Sequence, residues 1–159
     1  MDTIQLKNKN ILRLSIATDK GEKTDDYLEF DLEDIELPFI YQEIIEKLKE
    51  SRKKLKNQFT IIDKKQDHKG KKLMSANEEA KIKLLNDFYK EQVNIYNMFL
   101  GENGVQKLLH GRKLRWTTLE EIDEIIEKQI APKLDITMDS ITKKIKEKYS
   151  KNKEEKVLE

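Results

Sequence analysis

Residues 99–112 read FLGENGVQKLLHGR, with glycines at 101, 104 and 111 and a histidine and an arginine on either side of the last. Such a stretch is either a loop that holds a phosphate or punctuation between helices. A phosphate loop needs GxxxxGK followed by Ser or Thr, or GxGxxG, and neither pattern is present. A GxxG clamp on a nucleic-acid backbone is opposed by Glu102, whose charge inside the GENG tetrapeptide repels phosphate. The helix-terminus reading accounts for the residues in order. Gly101 stops a long helix at its C′ position, Asn103 caps a short one with Gln106 three residues on, and Gly111 closes it before Arg112. The stretch therefore predicts helix, stop, short helix, stop.

N-terminal to this point, Ile82, Leu85, Tyr89, Val93, Tyr96 and Leu100 recur at helical spacing, and Leu84, Phe88, Ile95 and Phe99 widen the stripe. Ser75 with Glu78 makes a capping box for this helix, over 75–100. A face so broad predicts either a central position or a surface held for a partner, and Phe88, Ile95 and Phe99 are the candidate partner residues on it. An earlier amphipathic helix is expected over 38–62, with Pro38 in its first turn and Leu37, Tyr41, Ile44, Leu48, Leu55, Phe59 and Ile62 on one face. Between the two helices, DKKQDHKGKKLM (63–74) has no period and reads as a flexible basic loop.

At the N-terminal side, Leu12, Leu14 and Ile16 alternate, as do Leu28, Phe30 and Leu32, around a turn built on Asp19-Lys20-Gly21. This is the pattern of a β-hairpin over about 11–32. On the C-terminal side, Thr117 with Glu120 predicts a capped helix starting near 118 and running to 149, kinked near Pro132. Trp116 stands just before it, as a hydrophobic staple or core anchor, or as a fourth partner-binding residue. From Ser150 the chain is polar and is expected to fray as a tail over 150–159. The fold class is thus α+β, mostly α: a single domain over 1–149, with a hairpin followed by about four helices in a small bundle.

Composition narrows the function classes. Lysine plus arginine number 32 against 31 aspartates and glutamates, so the net charge is near neutral, unlike that of a dedicated nucleic-acid binder. No cysteine is present, which removes disulfides, thiol chemistry and thiolate-ligated zinc. No apolar run approaches the roughly 20 residues that span a bilayer, and a signal-peptide pattern is missing, so a cytoplasmic protein without membrane contact is expected. His68 and His110 stand far apart and outside any ligand-spaced motif. Glu120, Glu124 and Glu127 form a row along one helix, but Lys128 four residues after Glu124 marks a solvated, ion-paired face. No catalytic, cofactor-binding or metal-binding residue is assigned, and an enzyme is not expected.

Two stretches together resemble signature segments of the small tail-assembly chaperones of tailed bacteriophages and prophages of Gram-positive bacteria. These are FDLEDIELPFIYQEI (30–44) and FLGENGVQKLLHGR (99–112). In that family a strand ending in FDL leads through Leu-Pro into a long helix. A second long helix ends in FLGE, before a short helix and a Gly-Arg exit. The matching positions here are Phe30 to Leu32, Leu37-Pro38, Phe99 to Glu102, and Gly111-Arg112. The resemblance implies a non-enzymatic protein that binds the tape-measure protein, keeps its long helical chain soluble and recruits tail-tube protein. A homo-oligomer is compatible with that role. Two other classes remain open: a small nucleic-acid-binding or regulatory protein using the basic region 47–72, and a structural tail connector or tube-completion protein.

Overall fold

The computed structural model describes residues 1–7 and 9–158, with residues 151–158 as helical backbone. The chain is α+β and mostly helical. Strands β1 (Ile11–Ala17) and β2 (Lys23–Asp31) form a two-stranded antiparallel hairpin. Helices α1 (Leu37–Asp63), α2 (Ala76–Leu100) and the short α3 (Gly104–Leu109) follow. Then α4 (Trp116–Ile125) passes through a π-helical turn (Ile126–Ile130) into α5 (Ala131–Leu158).

The single domain expected over 1–149 resolves into two compact units. One comprises residues 13–29 and 36–113, and the other residues 1–12, 30–35 and the chain from 114 onward. The hairpin thus gives its turn end to the first unit and its open end to the second.

In the first unit the hairpin turn closes through Thr18 N–H to Glu22 O at 2.8 Å and Gly21 N–H to Thr18 O at 2.9 Å. Strand β2 is two residues longer than β1, and Thr24 takes up the excess. Its hydroxyl donates to Ile16 O at 2.7 Å and accepts from Asp26 N–H at 3.2 Å.

The body of this unit is the antiparallel pair α1 and α2. Ile44, Leu48, Ser51, Leu55 and Ile62 are buried on α1, and Phe88, Gln92, Ile95 and Phe99 on α2. Both series step by three, four or seven residues, the seam spacing of coiled-coil packing. The polar positions meet: Gln92 Nε2 donates to Ser51 Oγ at 3.1 Å inside the apolar seam. Tyr41 and Phe99 stack obliquely with ring centres 5.6 Å apart. Arg52 donates to the fully buried Tyr96 hydroxyl at 3.0 Å.

In the second unit Leu12, Phe30, Leu119, Ile122, Ile126, Ile130 and Leu134 are buried. The open end of the hairpin is fastened by Leu32 N–H to Asn10 O at 2.9 Å and by Asn10 Nδ2 to Glu33 Oε1 at 2.8 Å. The kink expected near Pro132 takes the form of the π turn before it. Ala131 N–H donates to Ile126 O, five residues back, so the coil is wide where proline brings no N–H and its ring crowds the preceding turn.

Two helix boundaries differ from expectation. The last helix begins at Trp116 rather than near 118, because Thr118 Oγ1 accepts the Arg115 N–H at 3.3 Å and sets the cap two residues earlier than Thr117 would. The expected polar tail over 150–159 is helical as far as Leu158, and Glu159 lies outside the described residues. A helix already propagating adds a hydrogen bond per residue, so low apolar content alone does not end it.

Candidate interaction surfaces

The turn region around residue 101 acts as punctuation, with different atoms from those expected. Ser75 Oγ accepts the Glu78 N–H at 3.1 Å, so the α2 start is capped as its sequence predicts. Gly101 ends α2 at φ +97°. Asn103, the expected N-cap of α3, sits in the left-handed region at φ +55° and its side chain makes no cap bond. Asn97, on the last turns of α2, does that work. Its Oδ1 accepts the Val105 N–H at 2.8 Å and its Nδ2 donates to Gln106 Oε1 at 2.9 Å. A side chain already held by α2 reaches the orphan N–H, leaving Asn103 to make the turn. At the far end His110 takes φ +48° and Gly111 φ +80°. Arg112 folds back, with Nε donating to Leu109 O at 2.8 Å and Nη2 to Leu108 O at 3.2 Å. Gly101, Asn103, Gly111 and Arg112 are therefore joint residues, and a phosphate cradle is not what their geometry serves.

Of the four residues expected to meet a partner, Phe88, Ile95 and Phe99 are buried in the folded chain. The α2 face is thus buried at its centre, while Ile82 at its start is 51% exposed and Leu84, Leu85, Tyr89 and Val93 are half-buried. Trp116 is half-exposed, and its indole N–H donates to Glu120 Oε1 at 3.1 Å one turn along α4. About half of its surface is therefore open to solvent.

Apolar side chains that periodicity assigned to no core are exposed instead. On α1, Phe39 is 72% exposed and Ile45 is 45% exposed. With Tyr41, Gln42, Glu43 and Glu46 they make an open, shallow stretch of the α1 surface. A groove of about 520 Å3 follows the α1–α2 seam, lined by Lys47, Glu50, Ser51, Lys54, Glu91, Asn94, Ile95 and Met98. Lys47 bridges its mouth, reaching Glu43 at 3.2 Å and Met98 Sδ at 3.8 Å.

The basic loop after α1 is tied to α2 rather than loose. Asn77 Nδ2 donates to Ile62 O and to Lys65 O, both at 3.1 Å, satisfying carbonyls that the end of α1 leaves unpaired. Asp67 Oδ1 accepts the N–H groups of His68 at 2.8 Å and Asn77 at 3.0 Å, and Ala76 N–H donates to His68 O at 2.9 Å. The Asn77 N–H, then the Ser75 hydroxyl, hold the Asp67 carboxyl below the usual range for aspartate. Lys64, Lys65, Lys69, Lys71 and Lys72 are exposed around this knot. Asp63 at the end of α1 is paired with Lys81 of α2, whose ammonium also lies 5.6 Å from the centre of the Phe59 ring.

Among the described residues no three His, Asp or Glu side chains come together where they could hold a metal ion. Glu124 and Lys128 form an exposed ion pair one turn apart, and their mutual bond lowers the carboxyl and raises the ammonium. Among the described residues no helix is long and apolar enough to cross a membrane. Comparison of the chain with protein-family models, with curated proteins and with solved structures finds no match in any of the three.

Proposed function

We propose that this chain is a non-catalytic assembly chaperone of a tailed phage or prophage, acting in the bacterial cytoplasm on the tape-measure protein and assisting tail-tube assembly. The observation that carries the reading is the exposed apolar surface of α1, where Phe39 and Ile45 stand among Glu43 and Glu46. An aromatic and a branched aliphatic side chain rimmed by carboxylates suit the apolar face of an amphipathic partner helix with basic flanks. The resemblance of residues 30–44 and 99–112 to family segments supports it, since both fall at element junctions: strand into α1, and α2 into α3. The α2 face that periodicity nominated is not the docking surface in this proposal, because its side chains are buried.

The test is co-expression of the full chain with the tape-measure protein of the same genome. The expected result is a soluble complex, lost on Phe39→Glu. A well-folded chain that leaves the tape-measure protein insoluble and uncomplexed overturns the reading. Recovery of the chain in purified particles would favour a tail connector or tube-completion protein instead.

A second reading is favoured by the five exposed lysines, Lys64, Lys65, Lys69, Lys71 and Lys72, that flank the Asp67–Asn77 tie at one end of the α1–α2 pair. It makes the 47–72 region a polyanion contact. Salt-sensitive gel-shift binding, lost when Lys53, Lys54, Lys71 and Lys72 become glutamate, would support it.

A further inference from the structure

Strand β2 is paired on one side only. Leu32 N–H donates to Asn10 O, and Arg13 reaches Glu29 at 3.0 Å, which fixes the ladder. Even residues of β2 bond to β1, so Tyr27 and Glu29 aim their backbone N–H and C=O groups at the other edge. The sheet has two strands, and among the described residues no third strand meets that edge. An open cleft of about 360 Å3 runs beside it, lined by residues 26–29 of β2 and by the α2–α3 joint at Leu100, Gly101 and Glu102. Successive side chains of a strand point to opposite faces, so a cleft that touches four in a row lies along the edge. Asp26, Glu29 and Glu102 make its rim acidic, with Lys107 the one cation among the residues that line it. The chain before β1 carries the complementary pattern. Ile4 and Leu6 are each 93% exposed and alternate with Thr3, Gln5 and Lys7, and Lys9 continues the polar phase. Residues 1–7 belong to no helix or strand.

We infer that residues 3–7 of a second copy of this chain add to the open edge of β2 as an antiparallel third strand. Residues directly opposite in antiparallel strands share a face. Setting Gln5 against Glu29 therefore places Leu6 against Leu28 and Ile4 against Phe30, apolar side chains meeting on the inner face. Lys7 then stands across from Tyr27 and diagonal to Glu29, in the stretch of cleft rimmed by Asp26, Glu29 and Glu102. The open backbone groups of Tyr27 and Glu29 gain ladder bonds with Lys7 and Gln5. Parallel addition with the same apolar matching carries Lys7 to Asp31, past the cleft, and its slanted bonds are weaker. The strand cannot come from the same copy. Asn10 is held beside Leu32, and the level of Tyr27 lies about 17 Å further along β2. Lys7 and Asn10 of one chain are at most about 11 Å apart. Two copies that exchange strands close on each other, and otherwise the contact runs head to tail. A five-residue strand makes a small interface, so the association is weak and concentration-dependent. This inference does not rest on what the α1 surface binds.

The experiment is sedimentation of the purified full chain from micromolar concentrations up to about 1 mM. The expected result is an average mass that rises with concentration. Gln5→Pro removes the N–H that faces Glu29 and should move that rise to about tenfold higher concentration or beyond. It should leave the thermal transition unchanged, because Gln5 is exposed and outside every helix and strand. Disulfide trapping reads the orientation, since the chain has no cysteine of its own. On mild oxidation Lys7→Cys mixed with Tyr27→Cys should cross-link between chains, and Lys7→Cys mixed with Asp31→Cys should not. A monomeric mass across the whole range overturns the proposal, as does a rise in mass that Gln5→Pro leaves in place. Cross-linking to Asp31→Cys as readily as to Tyr27→Cys overturns it equally.

Discussion

Gln92 donates to Ser51 across the α1–α2 seam at 3.1 Å, and Gln92 is completely buried. The other amide atom, Oε1, is buried without a hydrogen-bond partner among the described residues. A polar pair at one level of an apolar seam costs desolvation and repays it in register, because sliding either helix leaves both groups unpaired. Ser51→Ala removes the one partner shown for Gln92 and should cost about 1–3 kcal/mol. The double change Ser51→Ala, Gln92→Leu should be nearly neutral or stabilising, since both polar groups leave together. Urea unfolding of the three proteins checks the non-additivity.

Gly104 opens α3 hard against α2. A Cβ placed there would lie 2.5 Å from Leu100 Cβ, an atom fixed to the backbone that no rotamer change can move. Alanine has the better helix propensity by about 1 kcal/mol, so a propensity argument alone expects Gly104→Ala to stabilise. The contact reverses that sign. The expected outcome is a loss of about 1–3 kcal/mol, read as a lowered melting temperature.

The capping assignment can be tested against the local one. Asn97→Ala strips the acceptor from the Val105 N–H, and Val105 is fully buried. It should cost about 1–3 kcal/mol. Asn97→Asp keeps the acceptor and should recover most of that loss. Asn103→Gly preserves access to positive φ and should change stability by only a few tenths of a kcal/mol. If Asn103 rather than Asn97 proves the costly position, the cap has been assigned to the wrong residue.

Asp67 gives the loop a pH dependence with a defined sign. Its folded pKa is depressed, chiefly by the Asn77 N–H. The stabilisation is therefore fully present above the unfolded value of about 3.9 and is lost as pH falls through the lower folded value. The protection of the Asn77 and His68 amides against hydrogen exchange, relative to their intrinsic rates, should fall below about pH 4 in the natural chain. In Asp67→Asn it should already be lower at neutral pH and show little further change on acidification.

Much of this architecture is local in origin. Alternation around Asp19-Lys20-Gly21 specifies the hairpin, seven-residue recurrence specifies α1 and α2, and Ser75 starts α2 where its hydroxyl can meet the Glu78 N–H. Each depends on residues within a turn or two of one another, so the chain alone carries the information. The stop-and-start logic of residues 99–112 is legible for the same reason, down to the positive φ of Gly101 and Gly111.

What periodicity cannot state is which apolar stripe is covered. Phe88, Ile95 and Phe99 look available on a helical projection and are buried in the fold, where α1 packs along α2. Ile145 and Tyr149 continue the apolar spacing of α5 beyond Ile141 and are nevertheless exposed. The cap of α3 follows the same rule: Asn103 is nearer in sequence, but Asn97 is nearer in space to the N–H that needs an acceptor. Burial and hydrogen-bond partnership are properties of pairs brought together by packing. Sequence by itself therefore determined the elements and most of their boundaries, the helical run past 149 to Leu158 excepted, and the tertiary structure alone decided which faces remain open for a partner.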